Sequence, residues 1–283
     1  MQVIQYHYLI AGLPDISMDE HKLWTSVSDF RELLEKELEP EDFEQVKLIF
    51  LKEDNANLVR FLENGEIDEK APGNYSLEDF KAQEELFSAI IPQEDILPEY
   101  MVEVLKAYYD DRENFNAVEC SHQLAEGYFE YLQKQGGNFL KAYTLFDHNL
   151  ENFLTFMESR NHAMDPERFL TGNSSFTNHL REHVNRTLTQ DPDFDYFTEI
   201  LCHLEIPSMA EKEMNYDRMR WQVIDEMTFF EDFTIDKVLG YLFKLLIIKR
   251  WQALDHEAGE LRLRGIIKGA QEFAISGTTQ EGS

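Results

Sequence analysis

The sequence is poor in cysteine, proline and glycine, and each shortage excludes a class of protein. Its 283 residues include two cysteines, Cys120 and Cys202, with eight prolines and 13 glycines. Two cysteines without a C-x-x-C pair exclude a disulfide framework and are typical of the reduced thiols of a cytosolic protein. Few helix breakers, together with abundant Leu, Glu and Lys, favour long helices over a β fold that needs many turns.

Basic residues are also scarce. Lys and Arg total 26 against 55 Asp and Glu, which gives a formal net charge of −29. Such a surface repels nucleic acid phosphates and anionic lipid headgroups, so we expect no nucleic-acid partner and no direct binding to a bare membrane. A protein partner with basic loops is favoured instead, because complementary charge steers protein association. The simpler interpretation is that the acidic surface only maintains solubility.

Long hydrophobic runs are missing too. A bilayer span needs about 18 or more apolar residues, and the best candidate, 238–248, is interrupted by Lys244. The N-terminal apolar run lacks basic residues and soon reaches Pro14, so we expect no signal peptide and a cytoplasmic location. Hydrophobic residues nevertheless make up 43% of the chain, including 21 Phe, which is enough to build a core.

The hydrophobic periodicity predicts an all-α fold. Pro40 ends one helix and starts the next, which stops at Asn64-Gly65, and the capping box Ser76-x-x-Asp79 opens another. Only residues 2–11 alternate in a way that fits a strand, and the polar segment 276–283 is predicted to be a disordered tail. Further helices are predicted over 98–110, 114–135, 138–160, 176–188, 192–204, 209–230 and 235–272.

Polar residues interrupt the apolar stripe of two long predicted helices at matching positions. Asp54 and Asn57 lie in the stripe of the first helix, and Asn149 and Asn152 lie 95 residues later in the stripe of the second. A weaker third copy, Glu260-Leu261-Arg262, follows 108 residues after Asn152. A period of about a hundred residues predicts three similar helical subdomains, with approximate boundaries 1–95, 96–190 and 191–275.

The function of these polar residues has two interpretations at this point. Asn and Asp on a helix face often cap or bridge neighbouring helices, so each residue alone indicates no more than structure. Their repetition favours a conserved architectural role, with Asp54, Asn57, Asn149 and Asn152 hydrogen-bonded at helix–helix junctions. Burying such groups without partners costs about 1–3 kcal/mol each.

The repeated segments resemble the C (or d) subunit of rotary V/A-type ATPases. LKEDNANLVRFLENG is similar to the first motif of that family, and LFDHNLENFLTF with DPERFLTGNSSF is similar to its middle motif. YLFKLLIIKRWQALDHEAGELRLRGIIKGA resembles its C-terminal helix, so the matches follow the family's order. The chain departs from the pattern in lacking an Arg-rich start and in reading Leu170-Thr171-Gly172 at a double-glycine turn. Its opening resembles a divergent bacterial branch.

The resemblance implies a funnel-shaped socket of three helical domains. Such a subunit sits on the cytoplasmic face of the membrane rotor ring, receives the foot of the central shaft and transmits torque in a proton- or sodium-translocating complex. It has no catalytic residue, cofactor or metal. The expected partners are therefore the central-shaft subunits and the rotor ring, and the expected location is peripheral on the cytoplasmic face, without insertion into the bilayer.

Two alternatives remain open. A generic helical scaffold or regulator would have the same composition without belonging to an ATPase. The sequence His179-Leu180-Arg181-Glu182-His183 matches the H-x-x-E-H pattern of zinc peptidases, because residues i and i+4 of a helix share a face. The pattern is short, and a solvated polar helix face explains it equally well. No P-loop, G-x-G-x-x-G or G-x-S-x-G motif is present, so we expect no ATP binding and no enzymatic activity.

Overall fold

A computed structural model describes residues 5–18, 23–87, 93–191 and 194–254. Within these ranges the chain is helical and contains no β-strand, which confirms the all-α prediction. None of the described helices combines the length and the apolar character that crossing a bilayer requires. The helices are α1 His7–Gly12, α2 Val27–Glu37, α3 Pro40–Asn64, α4 Leu77–Leu86, α5 Glu99–Asp110, α6 Ala117–Gln135, α7 Asn138–Asn161, α8 Ser175–Glu182, α9 Phe197–Leu204, α10 Met209–Met227 and α11 235–254.

Local sequence signals fix the ends of the long helices. Pro40 occupies the first turn of α3, where its missing N–H leaves no hydrogen bond unmade. Gly65 ends α3 in the left-handed region with φ of 77°, a conformation that glycine adopts without strain. Ser76 and Asp79 form the predicted capping box at the start of α4, each side chain accepting from the backbone N–H of the other residue.

Three antiparallel helical hairpins, α2–α3, α6–α7 and α10–α11, form the framework. Lys244 pairs with Asp225 across the third hairpin at 2.5 Å, and further along it Arg250 pairs with Asp217. The first two hairpins pack through α3 and α6, where the Tyr128 hydroxyl donates to the Ile49 carbonyl at 3.5 Å. Because α3 runs antiparallel to α6, and α6 antiparallel to α7, the second helices of these hairpins run in the same direction.

The turns of the three hairpins lie at the same end of the molecule. Gln45, near the start of α3, accepts from the backbone N–H of Gly137 in the α6–α7 turn at 2.6 Å. Tyr6 connects the α2–α3 turn with the α10–α11 turn. Its backbone N–H donates to the Phe233 carbonyl at 2.7 Å, and its hydroxyl hydrogen-bonds to Asp42 in the first turn of α3. The N-terminal segment thus ties the first hairpin to the third.

Phenylalanine supplies the largest fully buried side chains of the core. The hydrophobic residues of all eleven helices contribute to one contiguous buried cluster, in which aromatic rings pack edge to face or stacked. Six phenylalanine side chains are essentially inaccessible to solvent: Phe30, Phe50, Phe80, Phe153, Phe156 and Phe176. The buried cluster is therefore continuous from the first described helix to the last.

Several predicted elements differ from the structure. The strand expected within 2–11 is wrong over its described part, because residues 7–12 form α1, which is anchored by Tyr6. The helices expected over 176–188 and 192–204 are shorter, as α8 and α9. The chain leaves the helical path after Glu182 because His179 Nε2 donates to the carbonyl of Thr189 at 2.9 Å, which folds 183–189 back along α8. Beyond 254, the last predicted helix and the tail 276–283 lie outside the described residues.

Candidate functional site

The first candidate feature is a buried carboxylate that holds a loop against α3. Asp54 is fully buried, and its Oδ1 accepts from the backbone N–H groups of Asn74 and Tyr75 at 2.7 and 3.1 Å. Its Oδ2 accepts from the Asn74 side-chain amide at 2.7 Å. These three donors lie directly before the N-cap of α4, so Asp54 holds the residues that lead into that helix.

The environment of Asp54 changes its acidity. Burial raises the pKa of Asp54 to about 6, although the N–H donors of Asn74 and Tyr75 and the nearby Arg31 guanidinium favour the charged form. The charged carboxylate of Asp54 loses its hydration on burial, and the effect of this loss on the pKa is larger than the effect of these contacts. Asp54 is therefore a group that titrates between the usual range of a carboxyl and neutral pH.

Asn57 holds the earlier part of the same loop. Its Oδ1 accepts from the backbone N–H of Asp68 at 3.0 Å and from Arg60 at 3.2 Å. Asp54 and Asn57 thus fix both ends of the connection between α3 and α4. Because side chains three residues apart share a helix face, one helix suffices to hold the loop at two points.

The equivalent residues of α7 hold the loop that leads to α8. Asn149 Oδ1 accepts from the hydroxyl of Ser174, the N-cap of α8, at 2.7 Å. Asn152 Oδ1 accepts from the backbone N–H of Thr171 at 3.1 Å, and its amide donates to the Thr171 carbonyl and the Thr177 hydroxyl, both at 2.9 Å. The two copies of the sequence motif therefore perform the same structural task.

An arginine and a Gly-Asn pair complete each copy. Arg31 on α2 donates to the Gly73 carbonyl at 2.7 Å and to Asn74 Oδ1 at 2.8 Å. In the second copy, Arg181 on α8 donates to the carbonyl of Gly172 at 2.8 Å and to Oδ1 of the following asparagine at 3.2 Å. The two arginines come from different helices, yet they bind the same pair of acceptors.

Both glycines permit a close approach of the loop to the helix. A Cβ on Gly73 would lie 2.5 Å from Asp54 Oδ1. A Cβ on Gly172 would lie 2.7 Å from His148 Nε2, and Gly172 also has a positive φ of 68°. Only a residue without a side chain fits either position without displacing a neighbour.

The predicted motif residues are thus hydrogen-bonded, and only part of their contacts lie between helices as expected. Asp54, Asn57 and Asn149 bind the loop that follows their own helix. Asn152 binds its loop and also donates to Thr177 of α8, which is a contact between two helices. A short polar side chain reaches a neighbouring loop backbone more readily than the side chains of a packed helix. Glu260 and Arg262, the weaker third copy, lie outside the described residues.

The second candidate feature is a central cavity of about 860 Å³. Every hairpin contributes to its wall, through α3, α6 and α7 and through facing positions of α10 and α11. The cavity begins several residues away from the hairpin turns and extends toward the other end of the long helices. Its apolar wall is formed by residues that include Val59, Leu124, Phe129, Tyr143, Phe243 and Leu246.

The cavity is electrically balanced in a strongly acidic molecule. Five of its lining residues are cations and five are carboxylates, whereas the whole chain has 26 cations and 55 carboxylates. Charged side chains at a cavity wall are retained where they pair with one another. The cations are Lys52, Arg60, Arg220, Lys249 and Arg250, and the carboxylates are Glu53, Glu63, Asp147, Glu151 and Asp217.

Arg220 organises a charge network that joins α7 to the third hairpin. Its guanidinium donates to Asp147 at 2.6 Å and to Asp217 at 3.1 Å. Asp217 is almost fully buried, and it also pairs with Arg250 and accepts from the Trp251 indole at 2.7 Å. Although burial opposes ionisation, Arg220 and Lys52 hold the pKa of Asp147 below its usual value. Asp147 therefore stays ionised at neutral pH.

Lys52 presents its ammonium to the cavity. It pairs with Glu151 at 3.4 Å, and this carboxylate raises the pKa of Lys52 above its ordinary value. The side chain is 67% exposed, so the charge lies in cavity water and the pair is exchangeable. Lys52 is thus available to an anionic group that enters the cavity.

The HLREH segment is not arranged as a metal site. His179 Nε2 donates to the Thr189 carbonyl, and His183, one residue beyond the end of α8, donates from Nδ1 to the His179 carbonyl at 2.7 Å. Each of these nitrogens carries a proton, because a carbonyl oxygen only accepts. Over the described ranges of the chain, no group of three His, Cys, Asp or Glu side chains is placed to hold a metal ion.

Comparison with known proteins assigns the chain to a family. Residues 3–272 match the model of the family described as "Protein of unknown function (DUF2764)". The chain belongs to this family. No curated protein matches the chain in sequence. The match spans both loop-holding motifs and every described helix.

Sequence reasoning missed two parts of these features. Arg31 and Arg181 were not singled out, although Gly-Asn occurs in both loops, at 73–74 and 172–173, and this repetition was the available signal. The charge network was also missed. Asp147 lies 73 residues before Arg220, and no motif links it to the Asp217–Arg220 pair of α10, so only the packing of α7 against α10 brings the three together.

Proposed function

We propose that the chain is a non-catalytic rotor adaptor of a V/A-type ATPase, coupling the central shaft to the membrane rotor ring. In this proposal the three hairpins form a funnel-shaped socket, and the end of the shaft enters the central cavity. The protein acts on the cytoplasmic face as a peripheral subunit, without a cofactor, a metal or contact with nucleic acid.

The observation that carries the proposal is the open cavity lined by three hairpins whose turns share one end. Its volume of about 860 Å³ fits the end of a helix. An α-helix with side chains is about 10–12 Å wide, so such a volume takes roughly two turns. The order of the motif resemblances along the chain supports the same assignment.

Charge distinguishes the two partners of the adaptor. The balanced lining of the cavity suits a neutral or acidic apolar helix end, which Lys52 at the cavity surface attracts. The net charge of −29 resides on the outer surfaces, and these suit a basic partner. The chain therefore binds the shaft through its charge-balanced cavity and the ring through its acidic outer surface.

The proposal is tested by capture from native membranes. A tagged copy of the full chain is used to purify its partners at low salt, and deletion of its gene is followed by measurement of ATP-driven ion pumping. We expect capture of both shaft and ring subunits and loss of pumping.

Two outcomes would redirect the assignment. If pumping persists after deletion and neither ATPase partner is captured, the adaptor function is wrong and a general helical scaffold takes its place. Stoichiometric zinc in the purified chain, with hydrolase activity that His179→Ala removes, would contradict a non-catalytic role.

A further inference from the structure

Exposed phenylalanines gather at the turn between α10 and α11. Among the phenylalanines of the described ranges, four have exposed side chains, and three of these are Phe229, Phe230 and Phe233. Phe230 is 88% exposed and Phe229 is 68% exposed, and their rings meet edge to face with centroids 4.8 Å apart. We call these three residues the aromatic tip.

The aromatic tip is held in place and does not result from a loose turn. The Phe233 carbonyl accepts from the Tyr6 backbone, and its ring contacts His7 with centroids 4.2 Å apart. The Thr228 hydroxyl donates to the Ile224 carbonyl at 2.8 Å, and Lys237 donates to the Thr228 carbonyl at 3.2 Å. The exposed rings are therefore displayed by a fixed turn. Large apolar side chains exposed together mark an interaction site more often than scattered ones.

Acidic residues surround the aromatic tip. The segment 225–237 contains five Asp or Glu residues against one cation, Lys237, although Asp225 pairs with Lys244. Burial, Glu231 and Asp42 together raise the pKa of Asp236 to about 6, so carboxylates from two hairpins crowd one another here. Such a surface complements a basic partner and repels an anionic one.

The aromatic tip is separate from the central cavity. On α11 the first cavity-lining residue is Phe243, ten residues after Phe233. At a rise of 1.5 Å per residue this separation is about 15 Å along the helix. A partner can therefore occupy the tip while another occupies the cavity.

We propose that the aromatic tip docks onto short, basic cytoplasmic loops of a membrane protein. Cytoplasmic loops of membrane proteins are enriched in Lys and Arg, which complement the acidic surround, while Phe229 and Phe230 insert between neighbouring loops. Lipid itself is a poor occupant, because anionic headgroups repel the same carboxylates. The inference rests on the proposed function, in which the rotor ring is that membrane protein, and it assigns the ring-binding surface.

The test compares full-length variants for binding to three separate probes. The double variant Phe229→Ser/Phe230→Ser removes the exposed rings, and the single variant Phe230→Ser removes the more exposed one. Val118→Ser on α6 is the matched control, because Val118 is 73% exposed and distant in sequence from the tip. The probes are the detergent-purified rotor ring, the purified shaft subunits and vesicles of anionic phospholipid, with folding checked by circular dichroism.

The expected result is a loss of ring binding alone. We expect the double variant to bind the ring at least about tenfold more weakly, the single variant to fall between it and wild type, and shaft binding to be unchanged. Ring binding equal to wild type, or equal loss with Val118→Ser, overturns the inference. Wild-type binding to vesicles that the double variant loses assigns the tip to lipid and also overturns it. If wild type binds neither ring nor shaft, the proposed function itself fails.

Discussion

At the scale of single residues, Asp54 and Asn149 occupy equivalent positions with different chemistry. Each accepts hydrogen bonds from the start of the helix that follows, but Asp54 is ionisable and Asn149 is not. Burial raises the pKa of Asp54 to about 6. At this position the first copy of the motif has a carboxyl that titrates, whereas the second has an amide that does not.

The variant Asp54→Asn tests this difference. In wild type the pKa of Asp54 is higher in the folded than in the unfolded state, so between about pH 4 and 6 the folded state binds the extra proton. The contribution of this proton to the free energy of unfolding is full below the unfolded-state pKa. It is lost as the pH rises through the folded-state pKa. In the variant, the side-chain amide at position 54 does not titrate, so this contribution to the free energy of unfolding is absent. We expect its unfolding free energy to improve relative to wild type by about 2 kcal/mol between pH 4 and pH 7.

Urea denaturation followed by circular dichroism at each pH measures this difference. A constant offset between the two proteins is also expected, because the new amide faces the Asn74 amide donor. The pKa of Asp54 is tested by the change with pH of the difference in unfolding free energy between the two proteins, and not by the constant offset. Parallel pH profiles would show that the pKa of Asp54 is not raised in the folded protein.

At the scale of elements, the sequence predicts long helices well and short ones poorly. The bounds of α3 follow from Pro40 and Gly65, and the start of α4 follows from Ser76, since these signals act through adjacent residues. By contrast, the alternation of residues 2–11 predicts a strand where the structure has α1. The backbone N–H of Tyr6, next to α1, donates to the Phe233 carbonyl in a turn more than two hundred residues away. Alternation in a short segment does not reveal such a contact.

The polar motifs show the same limit. Spacing alone placed Asp54, Asn57, Asn149 and Asn152 on apolar helix faces, where the structure buries them. Their partners were not predictable, because the loops that bind them have no periodic pattern. The arginines that complete the two copies come from α2 and α8, so no common spacing relates them to the motif.

Glycine-to-alanine variants test the packing of the two loops. We expect Gly73→Ala and Gly172→Ala each to lower the unfolding free energy by about 1–3 kcal/mol, Gly172→Ala more, since it adds a strained φ to the clash. Gly12→Ala is the matched control, because its Cβ would meet nothing within 4 Å. Thermal and urea denaturation provide the measurement, and loops that tolerate alanine as well as Gly12 does would contradict the close packing.

At the scale of the whole molecule, charge and shape divide the protein into two kinds of surface. The outside is acidic, with a net charge of −29, and the cavity lining is balanced. Composition predicted the first property. The second requires the assembled hairpins, because the cavity cations come from α3 and from the third hairpin, which are far apart in sequence.

Salt tests the contribution of the acidic surface to membrane attachment. Raising the ionic strength from about 0.05 to about 0.5 M shortens the screening length from roughly 14 to 4 Å, so contacts between exposed charges weaken. We expect salt alone to release the chain from native membranes while the integral ring remains in the pellet. Immunoblotting of the two fractions measures the release, and a chain that leaves the membrane only with detergent would contradict electrostatic attachment.

The central claim, that the cavity receives the shaft, is tested most directly by site-specific cross-linking in native membranes. Ala56 lines the cavity, whereas Ala210 is exposed on α10 outside it. Each is replaced by cysteine in a Cys202→Ser background and labelled with a photoreactive maleimide. Cys120 is buried, and burial raises the pKa of its thiol to about 11, which keeps it unreactive. We expect a cross-link to a shaft subunit from position 56 and none from position 210. Equal cross-linking from both positions, or none from position 56 in a membrane that retains the chain, would contradict the account.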